Sequence, residues 1–201
     1  MELIEQGGIL MWPLLALSVL TLAILIDRGI AFSTLRLATA AEEAELIAAA
    51  RAGNRAAADA AAKTAPALAP LIDAAFEPAP PEEKERSAAI AIEEVVRGLD
   101  ARLGLLAVTG RVAPLLGLLG TVLGMIQTFS RLATAHGAID MTLLADGIWQ
   151  ALLTTAAGLF IAIPAVAAHQ AFLRREDRVA FILGRLANRM LARPAPADAP
   201  R

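Results

Sequence analysis

Four polar side chains at helical spacing interrupt an otherwise apolar segment, and they are the groups there that could take part in chemistry: Asp146, Gln150, Thr154 and Thr155. A carboxyl group can bind and release a proton, whereas an amide or a hydroxyl exchanges hydrogen bonds with water or a partner. At about 100° per residue the four share roughly half of a helix circumference with Gly147 and Gly158, and bulky apolar residues fill the other half. Polar groups inside a membrane are costly and tend to face a bundle interior or water. The spacing therefore predicts a pore-lining face.

A second apolar segment, residues 113–126 (APLLGLLGTVLGMI), has a narrow face of small and hydroxylated residues. Gly117, Gly120, Gly124 and Thr121 fall within about 120° of the helix circumference, and Leu, Val and Ile occupy the rest. Small residues let helix backbones approach closely in a bilayer, where Leu gains little by leaving the lipid. We predict that these three glycines, with Gly158 of the other segment, form a helix-packing face in an oligomeric membrane assembly.

Two of these assignments have alternatives that the residues leave open. Hydroxyl bonds to carbonyl groups one turn back in the same helix would explain Thr154 and Thr155 without a pore. Asp146, near the start of its helix, would be favoured there by the helix dipole and by solvent alone. A small and hydroxylated face on each of two neighbouring segments nevertheless favours a shared lumen.

Composition and charge indicate that these segments cross a membrane. The chain has 201 residues, is 57% hydrophobic and has a mean hydropathy of +0.60, which is too apolar for an ordinary soluble domain. Three runs lack charged residues: 6–26, 112–130 and 147–173. Each run is about as long as the ~20 residues that cross a bilayer core, so we predict three transmembrane helices.

The distribution of basic residues predicts the orientation of these helices. Apart from Arg111 and Arg131, every Lys and Arg lies within residues 27–102 or after residue 173. By the positive-inside rule those two segments are cytoplasmic and the N-terminus is external. The residues that precede the first run are acidic rather than basic, so we expect a retained helix and not a cleaved signal peptide.

The predicted fold is an all-α integral membrane protein with long cytoplasmic helical extensions. Its parts are an external N-terminus (1–8), a first span (9–27), a cytoplasmic helical loop (28–103), a second span (104–130), a short external loop (131–143), a third span (144–173), and a cytoplasmic helix with a disordered tail (174–201).

Local signals add detail to the cytoplasmic parts. An Ala-rich helical stretch, residues 37–63, has a break at Gly53–Asn54, and prolines between 66 and 81 predict a turn region. One long helix is expected from about residue 82 to 130, since no strong breaker interrupts it. The third span is expected to continue as a helix over residues 174–192, whose apolar side carries Phe181, Ile182, Leu186 and Met190.

Several functional classes lack their sequence signatures. The chain has no Cys and two His, so disulfide or thiol chemistry and a His-based metal site are not expected. No phosphate-binding glycine loop precedes a helix, and no nucleophile lies in an evident arrangement with a base. Basic residues alternate with acidic ones without aromatic platforms, which disfavours a nucleic-acid partner. We expect no cofactor, no metal and no covalent catalysis.

Two longer motifs carry a family resemblance. The segments GRVAPLLGLLGTVLGMIQTF and LADGIWQALLTTAAGLFIAIPAVA resemble the MotA/TolQ/ExbB proton-channel family, and within it the ExbB branch. The resemblance extends to the first span, GGILMWPLLALSVLTLAILIDRGIAF, and so covers all three spans in order.

The resemblance implies a homopentameric ring in the bacterial inner membrane, with a periplasmic N-terminus and a cytoplasmic C-terminus. The second and third helices of each copy would line a lumen around ExbD-like single-span partners, whose aspartate carries the proton. The protonmotive force would drive movement that a TonB-like protein passes to outer-membrane transporters. Two lumen threonines of the family correspond to Thr121 and Thr155, and Gln150, Thr154 and Asp146 complete the expected proton pathway.

One position departs from many relatives, which have a glutamate where this chain has Gln150. An amide cannot titrate, and Asp146, one turn outward, is the only acid near the expected lumen. Two other functions are kept beside the ExbB-like one: a TolQ-like subunit for envelope maintenance, and a non-conducting membrane scaffold. A MotA-like stator is disfavoured because that branch has four spans.

Overall fold

The computed structural model describes residues 7–134 and 141–192, and within these ranges the regular structure is entirely helical. The α-helices are α1 (Met11–Thr34), α2 (Ala40–Arg51), α3 (Arg55–Ala62), α4 (Ala69–Phe76), α5 (Pro81–Asp100), α6 (Leu103–Thr134) and α7 (Met141–Leu191), with a 3₁₀ turn at Pro66–Leu68.

The expectation of three membrane-spanning helices is confirmed. By length and composition α1, the segment 81–134 that ends in α6, and α7 can each cross a membrane. The predicted external N-terminus (1–8) and external loop (131–143) lie partly outside the described residues, as does the predicted tail.

The chain divides into two compact units, the first made of residues 1–28 and 102–172. Its small core joins α1 to α6 and α7 through Leu14, Ala113, Ile161 and Ala162. Most bulky apolar side chains of this unit point outward, and Phe160 is 81% exposed. Lipid or neighbouring subunits must cover such a surface, because its apolar area is far larger than a water-soluble unit leaves exposed.

The prediction of one helix over residues 82–130 is wrong, because the helix is interrupted at Ala101–Arg102. Arg102 has a φ of 72°, a left-handed conformation that costs a residue with a side chain about 1–2 kcal/mol. Its guanidinium donates to Asp27 Oδ2 of α1 at 2.8 Å, and Arg28 donates to the same oxygen at 2.9 Å. Two charged hydrogen bonds to one carboxylate offset the backbone cost.

The second unit comprises residues 29–101 and 173–201. The predicted break at Gly53–Asn54 is confirmed: Gly53 has a φ of +66°, and the Asn54 side chain accepts from Ala57 N to cap α3. The proline-rich stretch differs from the expected turn region, since residues 69–76 form α4 with a proline in its first turn, where the missing N–H is not needed.

The C-terminal part of α7 buries only some of the residues on the apolar side that the sequence predicts. Leu186 and Met190, which the periodicity puts on the apolar side, are buried, and so is Leu183. Phe181, on the same predicted side, is 69% exposed. The bonds that fix this unit include a charged contact of Arg185 with Glu43 Oε1 at 2.8 Å. Phe181 is therefore a large apolar side chain that the described part of its own chain does not cover.

A capping box begins α2. The Glu42 carboxylate accepts from Thr39 N at 2.7 Å and from the Thr64 hydroxyl at 2.7 Å, while Glu42 N donates to Thr39 Oγ1. The bonds that the carboxylate accepts, from Thr39 N foremost and then from the hydroxyls of Thr64 and Thr39, lower the pKa of Glu42 from 4.5 to about 2. The ionised form is favoured because each bond donates to the carboxylate.

Acidification should weaken this cap. Because the pKa of Glu42 is depressed by folding, its stabilisation is fully present above pH 4.5 and is lost as the pH falls towards 2. We expect Glu42→Gln to lower the thermal midpoint of the detergent-solubilised protein at neutral pH, with a difference from wild type that shrinks as the pH falls. Circular dichroism at a series of pH values measures this. Glu45→Gln, at an exposed position of the same helix, is the control, and a gap that widens in acid would contradict the assignment.

Candidate functional site

The backbones of α6 and α7 touch along a row of small residues. A Cβ on Gly158 would lie 2.5 Å from the carbonyl oxygen of Ala113, and a Cβ on Gly117 would lie 2.9 Å from that of Thr154. Contacts this short leave no room for any side chain, because real Cβ atoms essentially never approach a neighbour so closely. Glycine at these two positions is what allows the two helices to pack.

The close approach continues along the membrane-spanning length of the pair. Gly110 faces Val166, Gly124 faces Ala151, and Gly147 faces Thr128, so residue numbers rise on one helix as they fall on the other. The helices are antiparallel. The small faces that the sequence shows on two spans thus meet each other within one chain.

The three threonines of interest make different hydrogen bonds. Thr154 is 2% exposed, packs on Gly120 and donates to Ala151 O of its own helix at 2.7 Å. Thr155 is half-buried and donates across the pair to Gly117 O at 3.0 Å. The same-helix alternative therefore describes Thr154, which lies inside the helix interface instead of on a surface, but it does not describe Thr155.

Thr121 lies on a different surface of α6, beside Val122 and Met125. It is half-buried, and its hydroxyl donates to Leu118 O at 2.7 Å. Among the described residues, no hydrogen bond joins Thr121 to a polar residue of α7.

Polar residues from both helices converge in a cleft of about 500 Å³ where α6 ends and α7 begins. We call it the outer cleft, after the orientation that the sequence predicts. Its polar lining consists of Asp146 and Gln150 from α7 and Gln127, Thr128 and Arg131 from α6.

Gln127 and Arg131 were not singled out as site residues. The sequence does contain a signal for them: they are four residues apart on one helix, as Asp146 and Gln150 are on the other. Residues at this spacing share a helix face.

Gln150 also reaches the start of the first span. A Cβ on Gly8 would lie 2.9 Å from Gln150 Nε2, and Gly8 has a φ of +73°, so both space and backbone conformation favour glycine there. Gln127 and Gln150 line a second, smaller cavity of about 40 Å³ with residues 7–10. Gln150 therefore lies at the junction of all three spans.

The chemistry available to the outer cleft is proton binding and hydrogen bonding. Among the described residues that line it, Asp146 supplies the one carboxyl group and Arg131 the one cation. Both are exposed, and no ion pair joins them in the described part of the chain. Two amides and a hydroxyl complete a lining that can order water.

Comparison with known proteins shows a match to a recognised family. A profile of the MotA/TolQ/ExbB proton channel family matches residues 63–183. The match includes the whole of α6 and α7 as far as residue 183. It therefore contains every polar residue named in the outer cleft.

Individual relatives carry two kinds of name. The chain is 46% identical over 95 residues to the biopolymer transport protein exbB1 of Vibrio cholerae, covering 47% of this chain and 42% of that one. It is 44% identical over 92 residues to the Tol-Pal system protein TolQ of Pseudomonas aeruginosa, covering 46% and 39%. A third relative is the biopolymer transport protein ExbB of Salmonella typhimurium, 39% identical over 88 residues, covering 44% and 36%. The alignments span about two fifths of each relative.

The contact at Gly158 should be intolerant of even one methyl group. Because the obstacle is the Ala113 carbonyl oxygen and not a flexible side chain, Gly158→Ala must separate the helices, at a cost typical of overpacking, about 1–3 kcal/mol. Thermal unfolding in detergent, followed by tryptophan fluorescence, measures the loss. Gly104→Ala is the matched control, since a Cβ there meets nothing within 4 Å. Equal midpoints for the two variants would refute the close-packing role of Gly158.

Proposed function

Because this chain belongs to the MotA/TolQ/ExbB proton channel family, we propose that it is the ExbB-like subunit of an inner-membrane motor driven by the protonmotive force. With an ExbD-like and a TonB-like partner it would energise transport across the outer membrane. The observation that carries this proposal is the family match over residues 63–183, which includes the paired spans α6 and α7. The N-terminus is periplasmic and the C-terminus cytoplasmic, by the positive-inside rule.

The motor is a homopentameric ring, and its lumen holds the single transmembrane helices of the partner. Support comes from the outer surfaces of the two paired helices, where Leu115 is 62% and Phe160 81% exposed. Exposed side chains of this size can face lipid or a neighbouring copy.

The proton pathway of this subunit begins at the outer cleft. Asp146 supplies a carboxyl group there, and Gln150 hydrogen-bonds water or the carboxylate of the partner. Thr155 and Thr121 lie further along their helices and offer hydroxyls to the lumen of the ring. Thr154 is left out of the pathway because it is buried within the contact between α6 and α7.

A TolQ-like role in envelope maintenance is the second candidate. It is favoured by the 44% identity to the Pseudomonas aeruginosa protein, close to the 46% identity to the Vibrio cholerae one. Both roles use the same proton-driven subunit and differ in the partners that receive the work.

Complementation separates these candidates. The chain is co-expressed with its candidate single-span partner in a Gram-negative host that lacks its own ExbB, and in another that lacks TolQ. We expect recovery of siderophore-iron uptake in the first host. Recovery of detergent resistance alone, in the second, would assign the TolQ-like role. A complex that assembles with the partner but restores neither would favour a scaffold.

Removal of single hydroxyls tests the pathway. Thr155→Val should abolish uptake or reduce it severely, whereas Thr155→Ser, which keeps the hydroxyl, should retain most of it. Thr154→Val is the matched control next to it and should retain activity, since that hydroxyl serves only its own helix. Partner binding, measured by co-purification, must survive in all three variants. If Thr154→Val and Thr155→Val were equally damaging, the effect would be one of packing.

Neutralising the outer acid tests proton binding by this subunit. Asp146→Asn keeps the size of the side chain but cannot titrate, so uptake should fall and lose part of its dependence on external pH. Asp146→Glu should restore both. An unchanged pH profile in Asp146→Asn would assign proton binding to the partner alone.

A further inference from the structure

The cytoplasmic part of α7 carries an exposed stripe with both charge and apolar surface. We call it the α7 ridge, and its residues are Arg174, Arg178, Phe181 and Arg185. At about 100° per residue they lie within roughly 60° of the helix circumference. Phe181 is 69% exposed, and Arg178 forms no ion pair with the described residues.

A groove of about 550 Å³ between α4 and α5 is lined by apolar and mainly acidic residues, and the basic residue in its lining, Arg55, is paired with Asp73. Its apolar lining includes Phe76 and Ile90, and Ile90 is 52% exposed. Glu77 and Glu94 line the same groove, and the described part of the chain supplies neither with an ion-pair partner. We call this surface the α4–α5 groove.

The ridge and the groove lie at similar levels of their unit. Burial raises the pKa of the Glu176 carboxyl, and the neighbouring Asp100 and Asp177 raise it further, so Glu176 of α7 is close to Asp100 of α5. Glu94 precedes Asp100 by six residues and Phe181 follows Glu176 by five. At 1.5 Å per helical residue, Glu94 lies about 9 Å along α5 from Asp100, and Phe181 lies about 7.5 Å along α7 from Glu176. Because α5 leads towards a membrane span and α7 leaves one, both residues lie at nearly the same distance from the place where Glu176 and Asp100 meet.

We propose that the α7 ridge of one copy docks in the α4–α5 groove of the next copy around the ring, with Phe181 beside Ile90 and Arg178 opposite Glu94. The proposal rests on the ring assembly proposed above. A ring requires a heterologous interface, in which two different surfaces of the same chain are complementary. Within their unit, Phe181 and Glu94 lie at similar distances from the place where Glu176 meets Asp100.

A second copy explains both surfaces together. Anionic lipid headgroups would account for exposed arginines near the inner end of a span, but they offer nothing to Phe181 and would be repelled by Glu77 and Glu94. Burying Phe181 and Ile90 against each other also removes two large side chains from water.

Disulfide cross-linking tests the contact directly, because the chain has no native Cys. Two differently tagged chains are co-expressed with the partner, one carrying Ile90→Cys and the other Phe181→Cys, and the membranes are oxidised. We expect a disulfide-linked dimer that contains both tags. Ala89→Cys is the matched control for Ile90→Cys, since it is exposed on the same helix but about 100° away from the groove. Equal yields from the two positions, or none from Ile90→Cys, would overturn the proposal.

Charge reversal tests the polar half of the contact. Arg178→Glu should lower the cross-link yield severalfold, and Glu94→Arg combined with it should restore the yield. Native mass spectrometry of the same samples reports the assembly separately. A ring that persists without the cross-link would refute this contact alone, whereas a monomer would refute the ring as well. Loss of co-purified anionic lipid in Arg178→Glu, with the cross-link unchanged, would assign the ridge to the membrane.

Discussion

Direct contact between the backbones of α6 and α7 is the constraint on which the membrane unit depends. In lipid, a leucine gains little by leaving its surroundings, so two helices associate mainly through van der Waals packing and interhelical hydrogen bonds. Both require short distances. Gly158 against the Ala113 carbonyl, and Gly117 against the backbone of Thr154, provide them. At this separation the Thr155 hydroxyl reaches Gly117 O, so one small-residue contact permits both sources of stability.

The same contact also fixes which polar groups meet. Each helix carries its outer polar residues as a pair four apart, and the antiparallel register at Gly147 and Thr128 sets these pairs side by side. A rotation of either helix by one residue, about 100°, would turn its pair away from the cleft. Glycines buried in the interface therefore determine the position of a carboxyl group at the surface, without touching it.

The sequence was sufficient to predict the membrane spans and their faces of small residues, because absence of charge and helical periodicity are local properties. It did not identify the partner of those faces, since a stripe of glycine and threonine looks the same whether the neighbour is another copy or the same chain. The break at Arg102 was missed for a related reason. Its carboxylate partner, Asp27, lies 75 residues earlier, so no local signal marks it. Phe181 fits the apolar periodicity of α7 and is nevertheless exposed, because periodicity does not reveal where the core ends.

The amide at Gln150 constrains how a proton-driven subunit of this kind can work. A proton crosses an apolar span either on a titratable group that carries it or through ordered water. Gln150 lies where the three spans meet. Because its amide cannot titrate, it can support only the second route, by hydrogen-bonding water. Asp146, one helical turn before Gln150, is the acid that lines the outer cleft among the described residues, and its side chain is exposed there. On the proposed function, this chain can therefore collect protons at the outer boundary and hydrate their entry, while the carboxylate that carries charge through the apolar interior belongs to the helix that the ring encloses.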